Sequence, residues 1–454
     1  MRTVMLIAAL VQLPLVDVMM ARGQDTAGEQ DRPPNIVFVM ADDLGWAELG
    51  CYGQEKIHTP HIDRLAAEGL RFTQAYAGSH VCAPSRSVLM TGLHTGHTPV
   101  RANGAGKHLA DEDVTIAEML RDAGYATGIF GKWGLGNENS PGRVTRQGFD
   151  VFVGQLEQVH AHFHYPYWLW HNDERLALPE NEGRRQQQYV HDVLLEHALQ
   201  FIRDHQQRPF FLYVPFTLPH VELVVPDDSE RPYRGKFPQV AIPDPRQGYL
   251  GSDDGYTTFA GIVSRLDAGV GQIAALLEEL KLDERTLVIF TSDNGGQGGA
   301  WSGMTDFFEG NKPLRGYKGS FYEGGIRVPL IARWPGHIEP NTTSEHLVGF
   351  QDVLPTCAEL AAAEAPEGID GYSFLPALLG KADIPSRQPL YWEHPSRGGI
   401  EQAVRAADWK LIRKSGGQVE LYDLATDLSE TTNVAADNPN VVARLERFLD
   451  SQHT

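Results

Sequence analysis

The chain has 454 residues, with 39 lysines and arginines against 59 aspartates and glutamates, and its formal net charge is −20. This length is too great for one small core and predicts one large α/β domain with a smaller second domain. The acidic balance argues against a nucleic-acid-binding protein, which needs a basic face for the phosphate backbone.

The first thirty residues have the composition of an export signal rather than of a folded element. Arg2 gives a positive start, 4–16 is a short apolar run, and a polar stretch follows from Arg22 to Pro34. The apolar run is too short to span a bilayer, and we identify no later run that is long and apolar enough to do so. Residues 1–24 are therefore predicted to be a signal peptide. The mature protein is expected in the periplasm or outside the cell if bacterial, and in a lysosome or secreted otherwise, without stable membrane insertion.

Four short apolar, β-branched runs end abruptly in polar residues, which is typical of strands buried on both faces. Helical patterns lie between them, and one begins with a predicted capping box of Thr115 and Glu118. This alternation predicts a mostly parallel sheet covered by helices. The predicted strands are 35–40, 126–130, 210–216 and 287–290, and the predicted helices are 62–70, 115–123 and 263–282.

The pattern changes near residue 385. Short antiparallel strands are predicted at 389–393, 402–413 and 418–424, followed by a helix at about 440–449. We therefore predict a large α/β domain over 33–384 and a smaller antiparallel-sheet subdomain over 385–454.

Polar side chains follow each of the four apolar runs. Each alone is also typical of an ordinary turn after a strand, but in open α/β sheets ligands bind beyond the carboxyl ends of the strands. Four such coincidences at one edge favour a site, and we expect these side chains to converge: Asp42, Asp43, Lys132, His220, Asp293 and Asn294.

Four of these side chains, Asp42, Asp43, Asp293 and Asn294, offer only oxygen ligands. An all-oxygen, carboxylate-rich set suits a hard cation, with Ca²⁺ as the first candidate and Mg²⁺ as the second. Two neighbouring buried carboxylates also repel unless a cation neutralises them. The sequence therefore predicts a divalent metal site.

Residues 82–86 read Cys-Ala-Pro-Ser-Arg and precede a helical pattern. Pro84 is favoured in the first turn of a helix, which places Cys82 at a helix N-terminus, where an anionic group is stabilised. The alternative is a small core cysteine.

Three further residues are candidates for contacts to an anionic substrate. Lys132 and Lys318 sit among glycines, which allow close backbone approach, and each could act as a point charge on an anion. His220 could protonate a leaving group, although a lone histidine after a strand is more often a structural residue.

The pentapeptide fits the C-x-P-x-R pattern, and with several other stretches it resembles the type I, formylglycine-dependent sulfatases of the alkaline phosphatase-like superfamily. The similar stretches are 35–45, 82–92, 291–295, 316–329, 331–336 and 420–433. The resemblance implies a large mixed, mostly parallel sheet flanked by helices, with a smaller C-terminal α+β domain on an antiparallel sheet. It also implies a sulfuric ester hydrolase acting on a sulfated carbohydrate or an aryl sulfate.

The resemblance further implies specific roles. A maturation enzyme oxidises Cys82 to formylglycine, and Arg86 steadies that residue. Lys132 and Lys318 hold the sulfate, and His220 is the leaving-group acid. The implied Ca²⁺ ligands are Asp42, Asp43, residue 82, Asp293 and Asn294.

One position departs from the family. Many relatives carry a histidine two residues after the lysine that corresponds to Lys132, and this chain has Gly134 there. The missing contact could come from His80, from a histidine of 160–164, or from no residue at all.

Residues 158–171 alternate histidines with aromatic residues. We interpret them as a substrate loop in which Trp and Tyr faces stack on sugar rings. A packed insertion without a ligand is an equal alternative, and a metal site ranks third because no acidic ligand is near.

The three cysteines leave Cys51 and Cys357 as a possible disulfide once Cys82 is oxidised, with free thiols as the plainer reading. Two other functions stay open at this point. The same site could hydrolyse phosphate or phosphonate esters, or an unconverted Cys82 could leave a non-catalytic sulfated-glycan-binding protein.

Overall fold

A computed structural model of the protein describes residues 32–104, 106–243, 248–381 and 387–453. The predicted signal peptide over 1–24 lies outside the described residues. In chain order the strands are β1 (Asn35–Asp42), β2 (Leu70–Phe72), β3 (Ala75–Tyr76), β4 (Ala126–Lys132), β5 (Val151–Gln155), β6 (Trp168–His171), β7 (Glu174–Ala177), β8 (Phe210–Pro219), β9 (Thr286–Ser292), β10 (Leu330–Arg333), β11 (Thr342–Ser344), β12 (Val348–Gly349), β13 (Leu390–Ser396), β14 (Gly399–Ala406), β15 (Trp409–Arg413) and β16 (Val419–Asp423).

The α-helices vary from single turns to one helix of seven turns. In chain order they are α1 (Pro60–Ala67), α2 (Cys82–Thr91), α3 (Ile116–Asp122), α4 (Val190–His205), α5 (Asp227–Glu230), α6 (Gly255–Glu279), α7 (Ser302–Phe307), α8 (Glu323–Ile326), α9 (Val353–Leu360), α10 (Leu375–Leu378) and α11 (Pro439–Gln452).

The large sheet has ten strands in the order β11-β2-β10-β9-β1-β8-β4-β5-β6-β7. Its centre, from β9 to β5, is parallel, and antiparallel strands join it on both sides. The predicted fold class is confirmed: a mixed, mostly parallel sheet flanked by helices, with a C-terminal antiparallel sheet.

Strand β1 explains why the apolar runs are continuous rather than alternating. Val37 and Val39 belong to the apolar cluster on one face of the sheet. Ile36 and Phe38 belong to the cluster on the other face. Because helices cover both faces, successive side chains with a period of two are all buried.

Helix α6 corrects one expectation from the sequence. Among the described residues it is long and apolar enough to span a membrane, and 67 % of its apolar window is buried within the protein. It begins at Gly255, eight residues before the predicted start, and packs in the layer that covers β8. Burial within the fold accounts for its apolar composition.

The C-terminal sheet has the strand order β13-β14-β15-β16, antiparallel throughout. The single strand predicted over 402–413 was wrong, because a tight turn divides it into β14 and β15. Ala407 takes a positive φ of 50° in that turn, which is unusual for alanine, and Asp408 is the turn's other residue. Residues Pro33–Thr454 form one compact unit, and the predicted boundary at 385 stays a prediction.

Two smaller predictions are confirmed. The Thr115 hydroxyl accepts from the Glu118 backbone and the Glu118 carboxylate from the Thr115 backbone, which makes the predicted capping box. Cys51 and Cys357 are free thiols.

Candidate active site

The polar residues that follow the central strands meet at one edge of the sheet. In β1, Ala41 lies beside Ser292 of β9, and Asp42 lies beside Pro219 of β8. His220 and Asp293 therefore follow their strands at the level of Asp42, and Lys132 ends β4 nearby. The parallel pairing of the central strands is what brings residues from distant parts of the sequence together.

Four acidic or thiol side chains form the floor of the site. The ligand atoms of Asp42, Asp43, Cys82 and Asp293 lie within 4.8 Å of one another, and all four residues are buried. Asp43 turns the chain sharply after β1 with a φ of 66°, a conformation that aspartate tolerates better than most residues. Its backbone N–H donates to Asp293 Oδ1 at 3.1 Å.

Three cationic side chains surround these acids. Lys132 Nζ donates to Asp42 Oδ2 at 2.6 Å. Lys318 Nζ reaches both carboxylate oxygens of Asp43, at 2.6 and 2.7 Å. An Arg86 guanidinium nitrogen donates to Asp293 Oδ2 at 2.8 Å, and another donates to the Lys132 carbonyl at 2.7 Å. Each buried carboxylate therefore has a positive partner, as a buried charge requires.

The pKa values of two carboxyl groups are displaced in opposite directions. Burial raises the pKa of Asp42, but the charges of Lys132, Arg86 and Lys318 outweigh it, and the net pKa lies well below its usual range. Burial and the neighbouring Asp42 charge raise the pKa of Asp293 to about 6, despite Arg86. Repulsion between the two carboxylates is the signature of a site that an additional cation would stabilise.

Asn294 has an unsatisfied oxygen that points to the same conclusion. Its side-chain nitrogen donates to Asp43 Oδ1 at 2.8 Å and to the Gly295 carbonyl at 3.0 Å. Its Oδ1 is buried and has no hydrogen-bond donor within the part of the chain that the structure describes. A buried acceptor without a partner costs about 1–3 kcal/mol. A hard cation bound to Oδ1 would remove that cost, so these residues fit a calcium site.

Cys82 is the first residue of α2, as the sequence predicted. Its Sγ lies 3.3 Å from Lys318 Nζ and 3.5 Å from Asp42 Oδ1. Burial raises the pKa of the Cys82 thiol to about 12, although the charges of Lys132 and Lys318 oppose it. The unmodified thiol therefore stays protonated near neutral pH and would be a poor nucleophile.

His220 faces the acids with one ring nitrogen. Its Nδ1 bonds the Val221 carbonyl at 2.6 Å, and its Nε2 lies 3.5 Å from Asp43 Oδ2. Burial and then the charge of Lys318 lower its pKa well below the usual value. The ring is therefore neutral in the free protein.

All the predicted site residues thus lie in one place, at the base of a cavity of about 510 Å³. Among the side chains that line this cavity are Cys82, His220, Lys318, Gln158 and His162. His162 stacks on His220, with ring centroids 4.1 Å apart. His80, the other histidine considered from the sequence, packs instead against the rings of Phe321 and His394.

The space beside Gly134 is filled by Gln158. A Cβ atom at position 134 would lie 2.3 Å from Gln158 Nε2, so no larger residue fits while the amide is there. No motif marks Gln158 in the sequence. It becomes visible only because the chain after β5 returns to Gly134, whose N–H donates to the Leu156 carbonyl.

The C-terminal sheet holds the segment that carries Lys318. Lys410 of β15 donates to Glu323 at 2.8 Å, and both side chains are buried. Arg315 donates to the Glu430 carbonyl at 2.8 Å, and Tyr322 donates to Glu420 at 2.8 Å. The position of Lys318 therefore depends on contacts on both sides of it along the chain.

A second group of possible metal ligands lies outside the cavity. Suitable atoms of His94, His97 and Asp370 lie within 4.8 Å of one another. His97 Nδ1 lies 2.9 Å from Asp370 Oδ1, and His94 Nε2 lies 3.0 Å from Gln452 Oε1 in α11. Neither histidine was singled out in the sequence.

The chain matches two family models that together span nearly all of its described length. The model described as Sulfatase matches residues 34–363, and the model described as N-sulphoglucosamine sulphohydrolase, C-terminal, matches residues 317–453.

Individual proteins give the same result. The N-acetylgalactosamine-6-O-sulfatase of Bacteroides thetaiotaomicron is 31 % identical over 95 % of this chain and 95 % of its own length. Arylsulfatase A of Homo sapiens is 33 % identical over 92 % of this chain and 87 % of its own. The crystal structure of Ps i-CgsB in complex with k-i-k-neocarrahexaose has a TM-score of 0.79 and 28 % identity, covering 93 % of this chain and 94 % of that one. By fold, sequence and the convergence of its site, the chain belongs to the sulfatase family and is a sulfatase with an alkaline phosphatase-like fold.

Proposed function

We propose that the protein hydrolyses the sulfate ester of a sulfated carbohydrate, with a formylglycine formed from Cys82 and a Ca²⁺ ion in the acidic cluster. The observation that carries this proposal is the placement of Cys82 Sγ, 3.3 Å from the Lys318 ammonium and 3.5 Å from Asp42. A side chain placed there can meet a bound sulfate and the metal ligands at once.

The calcium ligands in this proposal are the oxygens of Asp42, Asp43, Asp293, Asn294 and the oxidised residue 82. The unpartnered Asn294 Oδ1 and the mutual approach of the carboxylates support this set. A bound divalent cation supplies positive charge that offsets the negative charge of the sulfate oxygens.

Residue 82 is proposed to be converted because it heads the C-x-P-x-R pattern of residues 82–86. The unmodified thiol, which burial keeps protonated, would be a poor nucleophile. A hydrated formylglycine supplies two hydroxyls on one carbon, one to attack sulfur and the other to expel sulfate as the aldehyde returns. An oxidising maturation enzyme is the partner that this conversion requires.

The cationic side chains are proposed to bind the sulfate. Once a cation engages the carboxylate oxygens, Lys132 and Lys318 can turn their ammonium groups to the sulfate oxygens. Arg86 stays on Asp293 and the Lys132 carbonyl, and in this way fixes the strand end and the helix against each other.

His220 is proposed to protonate the departing oxygen through Nε2, because Nδ1 is engaged by the Val221 carbonyl. A negatively charged sulfate beside Lys318 offsets the ammonium charge that helps to lower the pKa of His220. Substrate binding would therefore load the ring with the proton that catalysis needs.

The test is to produce the protein with a formylglycine-generating enzyme and measure sulfate release from 4-nitrocatechol sulfate, N-acetylgalactosamine 6-sulfate and sulfated oligosaccharides. Mass spectrometry of the peptide that contains residue 82 measures conversion to the aldehyde. Paired aryl sulfate and aryl phosphate esters separate a sulfatase from a phosphate or phosphonate hydrolase. No sulfate release by converted protein would overturn the proposal, and unconverted Cys82 in an active protein would overturn the mechanism.

We also propose that the protein is exported, on the strength of the signal-peptide composition of residues 1–24. Cell fractionation of the source organism, with N-terminal sequencing of the mature chain, tests this. Protein confined to the cytoplasm with residues 1–24 intact would contradict it.

A further inference from the structure

A second cavity of about 510 Å³ lies beside the catalytic cavity. Its walls come from the loop before β6, from residues 184–186 and from residues 248–250. The side chains that matter for its chemistry are His160, Phe163, Tyr167, Trp168, Arg184 and Tyr249.

One layer of side chains separates the two cavities. His162 lines the catalytic cavity and stacks on His220 at 4.1 Å. Its Nδ1 lies 2.7 Å from the hydroxyl of Tyr249, which lines the second cavity. The two cavities are therefore neighbours, and a ligand that occupied both would cross this hydrogen-bonded pair.

The aromatic side chains of the second cavity suit the faces of sugar rings. Tyr167 is 50 % exposed, which is rare for a tyrosine among the described residues. The Trp168 ring is fixed by His160, at a centroid distance of 4.2 Å, and by Arg175, whose guanidinium carbon lies 4.4 Å from the ring centroid. Rigid aromatic faces with a few polar groups are typical of ligand cavities.

The charge in the second cavity favours an anionic ligand. The Arg184 side chain is exposed and forms no ion pair with any residue that the structure describes. The acidic residue in the lining, Glu222, accepts backbone N–H groups on both oxygens, from His164 at 3.0 Å and from Leu250 at 2.7 Å. An arginine is therefore available to a carboxylate or sulfate group on the ligand.

Resting on the proposed function, we propose that the second cavity binds the sugar residue next to the one whose sulfate lies at Cys82. Arg184 pairs with an acidic group on that neighbouring sugar, and the exposed Tyr167 packs against its ring. The substrate is accordingly an anionic oligosaccharide of two or more residues rather than a sulfated monosaccharide.

The experiment compares kcat/KM for three kinds of substrate: 4-nitrocatechol sulfate, N-acetylgalactosamine 6-sulfate, and oligosaccharides. Two oligosaccharides distinguish the acidic groups. One alternates glucuronate with N-acetylgalactosamine 6-sulfate and presents carboxylates, and the other is k-i-k-neocarrahexaose, which presents further sulfates. We expect kcat/KM for the better oligosaccharide to exceed that for the monosaccharide at least tenfold.

The variants Tyr167→Ala and Arg184→Ala then test the cavity. Each should lower the ratio of oligosaccharide to aryl sulfate kcat/KM about tenfold, and Arg184→Ala should act mainly on the oligosaccharide whose acidic group it pairs with. Tyr372→Ala and Arg203→Ala, which remove an exposed tyrosine and an exposed arginine outside both cavities, are the matched controls.

Two failures are distinguishable. If the converted protein cleaves the aryl sulfate but prefers the monosaccharide, cleaves no oligosaccharide, or keeps its substrate ratio in both variants, the second-cavity proposal is overturned and the proposed function stands. If converted protein cleaves no sulfate ester at all, the proposed function itself fails.

A separate observation concerns Gln158 in the catalytic cavity. Its Oε1 is buried and has no hydrogen-bond donor among the described residues, and its Nε2 has only a long contact of 3.5 Å to the Gly134 carbonyl. The same amide occupies the space that a side chain at position 134 would take. We infer that Gln158 Oε1 accepts a hydrogen bond from a hydroxyl group in this cavity, either on residue 82 or on the sugar.

Gln158→Met removes the acceptor at similar volume, and Gln158→Glu retains an acceptor at the same place. We expect Gln158→Met to lower kcat/KM about five- to tenfold, the effect of one hydrogen bond, with partial recovery in Gln158→Glu. A loss on aryl and sugar substrates alike assigns the hydroxyl to residue 82, and a loss on sugars alone assigns it to the substrate. Gln200→Met, on an exposed face of α4, is the control. No difference between Gln158→Met and Gln200→Met on either substrate would overturn the inference.

Discussion

Among the described residues, two clusters bring potential metal ligands within 4.8 Å of one another: Asp42, Asp43, Cys82 and Asp293 in the cavity, and His94, His97 and Asp370 outside it. By distance alone they are equivalent. They differ in what their lone pairs already do, and that difference favours the cavity cluster as the candidate metal site.

In the histidine cluster the acceptors are in use. The Gly96 N–H donates to His94 Nδ1 at 3.1 Å, so the His94 proton lies on Nε2 and is donated to Gln452. Asp370 accepts the His94 backbone N–H at 2.9 Å as well as the His97 ring. The cluster is thus a hydrogen-bond network that ties residues 94–97 to residue 370 and to α11.

In the cavity cluster, by contrast, a buried acceptor lacks a hydrogen-bond donor from the part of the chain that the structure describes. Asn294 Oδ1 has no donor among the described residues, and the carboxylates depend on Lys132, Lys318 and Arg86 for charge. An accounting of donors and acceptors therefore separates the two clusters where ligand spacing does not.

Cys82→Ala has the largest expected effect and tests whether the cavity cluster is catalytic. Turnover should fall by roughly 10³-fold or more because the nucleophile is lost. Steady-state kinetics on 4-nitrocatechol sulfate, with circular dichroism to verify folding, measures this. Cys51→Ala is the matched control and should keep its activity, and equal activity in the two variants would refute the assignment.

Asp293→Asn and His97→Asn compare the two clusters directly. The first should lose bound calcium and about 10²-fold or more of turnover, because a ligand charge disappears from the cavity. The second should keep both. Elemental analysis of the purified variants measures calcium. Loss of calcium from His97→Asn would indicate that the ion binds the histidine cluster and would contradict the proposed site.

Chelation should have a moderate effect that depends on the same residues. A ligand that binds only the folded protein stabilises it by about 2.7 kcal/mol when its free concentration is 100 times Kd. We therefore expect EDTA to lower the Tm of the wild type and of His97→Asn, and added Ca²⁺ to restore it. The Tm of Asp293→Asn should change little with EDTA or Ca²⁺. A Tm change as large as that of the wild type would contradict the proposed calcium ligands.

The smallest expected effect is on the pH dependence of stability through His94. Burial lowers the pKa of His94 in the folded protein despite Asp370, so the unfolded chain binds more protons there. Its contribution to the free energy of unfolding is therefore present at high pH and is lost as the pH falls below about 6.5. Urea titrations between pH 5 and 8 give the free energy of unfolding at each pH. We expect this free energy to rise less steeply with pH for His94→Gln than for the wild type. A steeper rise of the unfolding free energy with pH in His94→Gln would contradict the lowered pKa of His94.

The sequence predicted the site well because its residues follow buried strands. Asp42, Lys132, His220 and Asp293 each stand where an apolar run ends, and parallel pairing forces such positions to one edge. The sequence included Gln158 only within the wider predicted substrate loop 158–171 and did not mark Arg184, because both lie on irregular segments whose course is set by packing. It also missed that β14 and β15 are separate strands, since the two-residue turn between them offers only Asp408 as a turn signal and places Ala407 at a positive φ.

The burial of Cys82 has a consequence for how the protein is made. Only 1 % of its surface is accessible, and Lys318, 236 residues further along the chain, closes over it. The oxidising enzyme that we propose would therefore reach this side chain most easily before residue 318 has been synthesised and seated. At about 5–20 residues per second, translation leaves roughly 10–50 s for that encounter. If residue 82 is oxidised as we propose, molecules that fold first would keep a buried thiol, and the yield of active protein would depend on how oxidation and folding compete.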